Sequence, residues 1–414
     1  MNILFVHQNF PAQFKHLAPA LVQAGHRVIA LSMRKDQPTF WQGVEIISYS
    51  PQKSSSPTVH PWVGDFESKV IRADACLVAA QKIQSEGFTP NLIFAHPGWG
   101  ESLFLKELWP SSILCIYCEF YYLLEGADVG FDPEFMHASI ADQCRLRLKN
   151  TNNLLHFVAA DAGLSPTRWQ ARTFPDFFKE KIEVIHDGIR TDIVRPDNEV
   201  RFQVSDGVYL SRSDEVITFV NRNLEPYRGY HVFMRTLPSL LRARPNAQVL
   251  IIGADGVSYG AAPTKGASWK EIFIQEIRSD ITDADWKRVH FLGTLNYPKF
   301  VQLLQVSRVH VYLTYPFVLS WSLLEAMSAG CAIVASKTAP VEEVITHDET
   351  GMLFDFFLKN QLLKAVVELL NDAEKRERLG KAARAFAQKN FDLETVCLPK
   401  QIEWIEGLAN SSNK

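Results

Sequence analysis

Val309-His310-Val311-Tyr312-Leu313-Thr314-Tyr315-Pro316-Phe317-Val318-Leu319-Ser320-Trp321-Ser322-Leu323-Leu324-Glu325-Ala326-Met327 is the stretch that decides the fold. Its first part, Val309–Thr314, is a short apolar run with the length of a buried strand. Pro316 then forces a loop. A helix follows over Ser322–Ala329, Gly330 stops it, and Cys331–Ala335 is a second apolar run of strand length. Strand, loop, helix and strand in this order form a β-α-β unit. Such units build parallel sheets covered on both faces.

The same alternation extends outward in both directions. Upstream, strands are read at Val216–Val220, Gln248–Ile252 and His290–Leu292, with a helix over Tyr230–Arg242. The amino-terminal half opens with a strand at residues 2–6. Phe14, Leu17, Ala18, Leu21 and Val22 then recur at helical spacing, with a kink expected at Pro19 and a stop at Gly25. Further strands are read at Val28–Leu31, Leu92–Ala95, Ile113–Tyr117 and Lys181–Ile185, and the Ser/Pro-rich residues 51–65 read as a surface loop. Residues 196–214 hold polar residues and no apolar run, and they read as a linker. A chain of 414 residues suits two domains of about 200 residues each. The expected division is a first domain over 1–195, a linker over 196–214 and a second domain over 215–385, with a helix over about 386–414 crossing back to the first.

Composition narrows the function. The chain is 47% hydrophobic and 21% charged, with a net charge of -3 and no block of Lys or Arg, so no nucleic-acid partner is expected. The apolar run after Met1 is far shorter than a signal-peptide core, and nothing approaches the ~20 apolar residues of a membrane span. The expectation is a cytoplasmic protein, with peripheral association at a membrane face left open. Cys115 and Cys118 form a lone C-x-x-C within a strand, where positions i and i+3 face opposite ways. Buried free thiols are expected, and no metal or cofactor. Asp283-Ala284-Asp285 resembles a metal-binding D-x-D, but it precedes a helix-like segment and reads as a cap. G-x-G-x-x-G, P-loop and H-E-x-x-H sequences do not occur, which argues against dehydrogenases, P-loop kinases and zincins.

In open parallel sheets ligands bind beyond the carboxyl ends of the strands, so candidates are sought there. Asn221-Arg222-Asn223-Leu224-Glu225-Pro226-Tyr227-Arg228-Gly229 follows one strand, and its two guanidiniums suit a diphosphate. The alternative is a surface loop in which Glu225 pairs with an arginine. The helix after Val309–Thr314 offers unpaired amides at its start. There Glu325 either binds ribose hydroxyls or completes a capping box with Ser322. Gly253 and Thr294, after two other strands, are counted with the donor-binding set. His96 follows Leu92–Ala95 in His96-Pro97-Gly98-Trp99-Gly100-Glu101 and is a candidate donor to a sugar or a developing charge, or else a turn-stabilising residue. Glu119, Tyr121 and Tyr122 follow Ile113–Cys118. Aromatic rings there stack on a sugar or belong to the core.

These residues together resemble the GT-B fold, and within it retaining glycosyltransferase family 4, over nearly the whole chain. The resemblance rests on the Glu325-Ala326-Met327 helix after its Pro-containing loop, the basic loop Asn221–Gly229, His186-Asp187-Gly188-Ile189, Ser165-Pro166 and Pro340-Val341-Glu342-Glu343-Val344. The stretches around His96 and Glu119 resemble members from bacterial exopolysaccharide synthesis. The resemblance implies two Rossmann-like domains facing a central cleft. It implies that Arg222 and Arg228 bind the diphosphate, Glu325 the ribose and His96 the donor sugar. Phe317, Val318, Leu319, Ser320 and Trp321 would line the phosphate or sugar, with the amides of Val318–Trp321 facing it. The loop holding Asn9 and Gln13 stands where the family has a glycine-rich loop. Two departures stand out: Phe317 replaces the first glutamate of the family's E-x7-E motif, and Ala12-Gln13 replaces a Gly-Gly pair.

The function implied is metal-independent, retaining transfer of a hexose in polysaccharide synthesis. The donor would be a nucleotide-diphosphate sugar, UDP-glucose or a close relative, and the acceptor a saccharide or lipid-linked saccharide. The alternatives are a catalytically silent nucleotide-sugar-binding protein and a GT-B-type sugar-nucleotide epimerase.

Overall fold

The first strand alternates its side chains between two cores. Ile3 and Phe5 join one buried cluster, and Leu4 and Val6 join another on the opposite face. A strand buried on both faces belongs at the centre of a covered parallel sheet, and the computed structural model, which describes residues 1–135, 139–263 and 266–411, places it there. Eight strands form this sheet: β1 (Asn2–Val6), β2 (Arg27–Ser32), β3 (Phe40–Trp41), β4 (Val44–Ser48), β5 (Leu92–Ala95), β6 (Ile113–Tyr117), β7 (Ala162–Ser165) and β8 (Ile182–Val184). Their order is β3-β4-β2-β1-β5-β6-β7-β8, and all pairs are parallel except β3 with β4. Helices Leu17–Gln23 and Leu398–Ser411 cover one face, through Leu17, Ala18, Leu21, Ile405 and Ala409. Helix Gly64–Ser85 covers the other through Cys76, Ala80 and Ile83. Cys115 and Cys118 fall in opposite clusters, as their spacing predicts, and both are free thiols.

Contacts divide the chain into two units. The first comprises Met1–Gly188 with the segment from Glu394 onward, and the second Ile189–Leu393. The last helix is held in the first unit by Gln401, whose amide donates to the His186 carbonyl (2.9 Å), and by Glu406, 3.0 Å from His26 Nε2. In the second unit β9 (Arg201–Ser205) and β10 (Val208–Ser211) form an antiparallel hairpin. Six parallel strands follow: β11 (Val216–Asn223), β12 (Gln248–Ala254), β13 (Val289–Phe291), β14 (Val309–Tyr312), β15 (Ala332–Ser336) and β16 (Met352–Phe354), in the order β13-β12-β11-β14-β15-β16. Both sheets reverse strand order beside their first long strand, between β1 and β5 and between β11 and β14. That reversal opens a crevice at the carboxyl end of each sheet.

Three sequence expectations need correction. The stretch 196–214 is not a bare linker. It contains the β9–β10 hairpin, whose Phe202 and Leu210 are buried in the second unit's core. Each strand offers few apolar residues, so periodicity misses them, although Asp206-Gly207 at the turn is a hairpin signal. The first helix does not run from Phe14 with a kink. A 3-10 turn, Ala12–Lys15, precedes a helix that starts at Leu17. Pro19 therefore sits in the first turn, where its missing N–H has no intrahelical partner to lose. The D-x-D aspartates do not cap their helix either. Thr282 is the cap, and Asp283 and Asp285 pair with Arg278 and Arg288.

Among the described residues no helix is long and apolar enough to cross a membrane.

Candidate functional site

At the reversal point of the second sheet lies a pocket of ≈ 420 Å³, and Asn221, Arg222, Arg228, Gly253, Thr294 and Ser320 all line it. Asn221, Arg222 and Gly253 sit at the carboxyl ends of β11 and β12, and Arg228, Thr294 and Ser320 in the segments after β11, β13 and β14, which the parallel sheet brings to one edge. Gly253 has φ +157°, and a Cβ there would stand 2.7 Å from Leu224 Cδ2 and 3.2 Å from the Asn221 carbonyl oxygen, so glycine keeps β12 close to the basic loop.

Arg228 is buried, and its Nη1 donates to Thr314 Oγ1 (2.8 Å), to the Val318 carbonyl (3.1 Å) and to Tyr312 Oη (3.3 Å). Its Cζ lies 5.1 Å from the Tyr259 ring centre and 5.9 Å from that of Phe317. Burial works against its charge, but the surrounding Tyr312 and Tyr259 hydroxyls leave its pKa raised. Arg222, by contrast, is exposed and pairs with no carboxylate among the described residues.

The alternative in which Glu225 pairs with an arginine does not form. Glu225 is fully buried and accepts the amides of Ser258 (3.0 Å), Tyr259 (3.3 Å) and Gly260 (3.1 Å). One carboxylate thus pins a distant loop across the mouth of its own, and Tyr259 reaches the Arg228 guanidinium because of it. Tyr259 was not singled out from the sequence, because it lies 31 residues after Arg228 and carries no periodic signal.

The helix after β14 begins at Trp321, with Ser320 as its cap. The Ser322–Glu325 capping box therefore does not exist, because Glu325 lies beyond the first turn. Glu325 is buried and hydrogen-bonded to Tyr297, whose phenol is pushed up by burial and by the carboxylate. It is not among the residues lining the pocket, nor are Phe317, Val318, Leu319 and Trp321. The amides of Val318–Trp321 are not all turned to a ligand: the Ser320 amide is spent on Tyr312 Oη (3.1 Å). Leu319 and Phe317 are core residues, and Phe317 packs on Tyr227 and Tyr259 at ring distances of 5.2 and 5.0 Å.

The first unit has its own polar cluster at the reversal between β1 and β5. His7 Nδ1 accepts the Asn9 amide (2.9 Å), so its Nε2 carries the proton and donates to Gln13 Oε1 (2.9 Å). Gln13 Nε2 in turn lies 3.4 Å from Glu119 Oε1. His96 Nδ1 accepts the Gly98 amide (3.1 Å), so its Nε2 donates to Glu119 Oε2 (3.3 Å). His96 therefore does stabilise its turn, and its free ring nitrogen is committed to Glu119. Its ring stacks on Tyr117 (5.5 Å) and meets Trp99 (4.7 Å). Burial, and then the neighbouring His96, push His7 down to about 3, so its ring is neutral. Tyr117 Oη donates to both carboxylate oxygens of Asp187 (2.9 and 2.8 Å). The side chain of Asn9 is exposed. Tyr121 packs on Phe157 and Phe174, and the Lys149 ammonium lies 3.8 Å from the Tyr122 ring centre. His7 follows a strand just as His96 does, so the same strand-end rule applies to it.

Behind this turn Glu101 is fully buried, and neither carboxylate oxygen has a hydrogen-bond partner among the described residues. Burial pushes it up to about 7, against the nearby charges of Arg72 and His96.

Residues 24–194 match the family model "Glycosyl transferase family 4 group", and residues 206–386 match "Glycosyl transferases group 1". Among curated proteins, similarity is found to spore coat protein SA of Bacillus subtilis. The identity is 27% over 196 residues, covering 44% of this chain and 46% of that one. A GDP-mannose-dependent monoacylated alpha-(1-6)-phosphatidylinositol monomannoside mannosyltransferase of Corynebacterium glutamicum is 24% identical over 183 residues, covering 42% of this chain and 43% of its own. The chain thus spans about half the length of the curated relatives it matches. Among solved structures, sucrose-phosphate synthase from Thermosynechococcus elongatus superposes with a TM-score of 0.73 at 17% identity, covering 99% of this chain and 100% of that one. HepE of Anabaena in complex with UDP and glucose does so with a TM-score of 0.67 at 17% identity, covering 98% and 100%. At such identities the structures speak for the fold alone. Two family models matched in tandem, on two parallel sheets that share the fold of these enzymes, identify the chain as a GT-B glycosyltransferase in its domain make-up.

Proposed function

We propose that the protein transfers a hexose from a nucleotide-diphosphate sugar, UDP-glucose or a close relative, to a saccharide or lipid-linked saccharide acceptor. The setting is polysaccharide synthesis at the cytoplasmic side of a membrane. The observation that carries this reading is the ≈ 420 Å³ pocket in which Arg222 and Arg228 converge with Asn221, Gly253, Thr294 and Ser320. Arg228 is held in place through Nη1 and by the neighbouring Tyr259 hydroxyl, which fixes the guanidinium at the pocket wall. Two guanidiniums in a partly enclosed site neutralise a departing diphosphate as its bond to the anomeric carbon breaks. With that charge met by arginine, transfer needs no divalent cation. The acceptor hydroxyl attacks from the face the diphosphate leaves, so the anomeric configuration is retained. Glu325 binds the ribose after giving up Tyr297. His96, Glu119 and Gln13 serve the sugar and the acceptor, together with Asn9, Tyr121 and Tyr122. HepE is described with UDP and glucose bound, which is consistent with a uridine donor here.

A second reading rests on Phe317, which stands where the resembled family has a glutamate and packs against Arg228 and Tyr259. A protein lacking that glutamate's contact binds a nucleotide sugar without turning it over. The test is calorimetry with UDP and UDP-glucose in EDTA, followed by product analysis with labelled donor and saccharide acceptors. Binding without metal and a labelled product support transfer. Binding with neither transfer nor donor hydrolysis supports the silent reading, and strict Mg²⁺ or Mn²⁺ dependence of binding sinks the arginine-based account.

A further inference from the structure

The opposite edge of the second unit's sheet holds a second cavity, of ≈ 430 Å³, whose lining includes Arg212, Arg308, Arg376, Lys381 and Arg384. Arg212 lies four residues before β11, Arg308 immediately before β14, and Gly330 two residues before β15, so this is the amino edge. The nucleotide pocket described above lies beyond the carboxyl ends of the same strands. Glycine lets two of its walls meet closely: a Cβ on Gly380 would stand 2.5 Å from the Gly330 carbonyl oxygen.

An ordinary structural role explains part of this basic cluster. Helices Tyr297–Val306, Trp321–Ser328 and Lys359–Asn371 all end here, and guanidiniums bond their last carbonyls. Arg212 donates to Gln305 (3.3 Å) and Gly330 (2.7 Å), Arg376 to Leu369 (2.8 Å), and Arg384 to Ser328. Three helix ends carry about -0.5 charge each. The cavity's one carboxylate, Glu377, lies 3.7 Å from Lys381. Five cations against one carboxylate and about -1.5 from helix ends leave an excess of about two to three positive charges. Donors are also left over: Arg308 bonds carbonyls through Nε and Nη2, and Arg376 through Nη1, so Arg308 Nη1 and Arg376 Nη2 have no acceptor among the described residues. The charges press on one another, since Arg376 is lowered by burial and then by Arg308 and Arg212.

We propose that this cavity binds a phosphate-class polyanion, at a site separate from the nucleotide pocket, with Arg308 Nη1 and Arg376 Nη2 as its unspent donors and Lys381 adding charge at its rim. Excess cationic charge in a concave site with unspent guanidinium donors is what a phosphate or diphosphate group satisfies. The source of that chemistry is either a soluble phosphate compound or the head group of an anionic lipid.

The test titrates the full-length protein with pyrophosphate, by calorimetry, at low salt. Lys381 is exposed and bonds no carbonyl, so Lys381→Glu leaves the fold intact; Arg376→Gln is the second variant. Arg222→Ala, at the opposite edge, reports on any pyrophosphate taken by the nucleotide pocket. The expected result is a binding step weakened by at least about tenfold in Lys381→Glu and Arg376→Gln and retained in Arg222→Ala. Sedimentation with phosphatidylglycerol vesicles, but not phosphatidylcholine vesicles, that Lys381→Glu abolishes assigns the anion to lipid. Pyrophosphate binding without sedimentation assigns it to a soluble compound. Pyrophosphate and vesicle binding that are absent, or unchanged in both amino-edge variants, overturn the proposal.

Discussion

Arg228 Nη1 lies 2.8 Å from Thr314 Oγ1, so the loop after β11 is tied to the loop after its sheet neighbour β14 by the guanidinium proposed to meet the diphosphate. The same group therefore has a structural and a chemical role, and the two arginines of the loop separate under mutation. Arg228→Ala removes a buried donor from three oxygens and is expected to cost about 1–3 kcal/mol of stability as well as donor affinity and kcat. Arg228→Lys keeps a charge but not the fork, and rescues only in part. Arg222 is exposed and pairs with no carboxylate among the described residues, so Arg222→Ala should leave the unfolding midpoint unchanged while lowering kcat and UDP affinity. Wild-type kinetics in both alanine variants would remove the diphosphate's anchor.

Glu325 is bonded to Tyr297 rather than to its own helix start, so glutamine cannot be silent merely by capping. If Glu325 binds ribose, Glu325→Gln weakens UDP binding by about 1–3 kcal/mol, while Tyr297→Phe leaves the carboxylate available and preserves or improves binding. Calorimetry on the two variants checks this. Equal affinity in wild type and Glu325→Gln would return Glu325 to a structural role.

Glu225 holds three backbone amides of residues 258–260. Glu225→Ala strands those donors and releases Tyr259 from Arg228. Hydrogen exchange should speed up at 258–260, and UDP binding should weaken, although Glu225 does not line the pocket. Unchanged exchange in that loop would refute the anchoring role.

Glu101 is raised from 4.5 to about 7, so its neutral form is favoured in the folded state. The stability this contributes is fully present below pH 4.5 and lost as pH rises to 7, by about 3 kcal/mol. His7, His186 and His310 are lowered from 6.5 to about 3, and His156 to about 4, in each case first by burial. Their contribution is present above pH 6.5 and lost as pH falls toward those values. Between pH 4.5 and 6.5 these four histidines outweigh one glutamate, so stability falls on acidification. Glu101→Gln removes the opposing group. Denaturation curves from pH 5 to 8 should show a steeper acid limb and a gain of about 3 kcal/mol at pH 8 relative to wild type. Parallel curves for the two proteins would contradict the assignment.

The strand-end residues were readable from sequence because their placement is nearly local. A run such as Val309–Thr314 becomes a strand, and whatever follows it emerges at the carboxyl edge. That argument points to Arg222, Arg228, Gly253 and Thr294, which line one pocket together with Ser320. The family resemblance put Phe317, Val318, Leu319 and Trp321 with them. The structure departs from it there, because a loop leaving a strand turns some residues inward, and Phe317 and Leu319 were taken by the core. The hairpin in 196–214 escaped for the opposite reason, since its apolar residues are too few to show a period.

Periodicity and turn chemistry alone thus determined that this chain alternates strand and helix twice over, and that its chemistry-bearing loops gather at strand ends. Sheet order is a separate matter. It brings β11 beside β14 and β1 beside β5, across 90 residues or so of intervening chain, and no local pattern encodes which strands become neighbours. Only the tertiary structure decided that Glu225 would hold Tyr259 over Arg228 and that His7, Gln13, Glu119 and His96 would close into one hydrogen-bonded chain. It alone decided that Glu101 would be buried with neither carboxylate oxygen hydrogen-bonded among the described residues. Lateral contacts and desolvation depend on which surfaces meet, and that is fixed by the packing of whole elements rather than by the residues on either side.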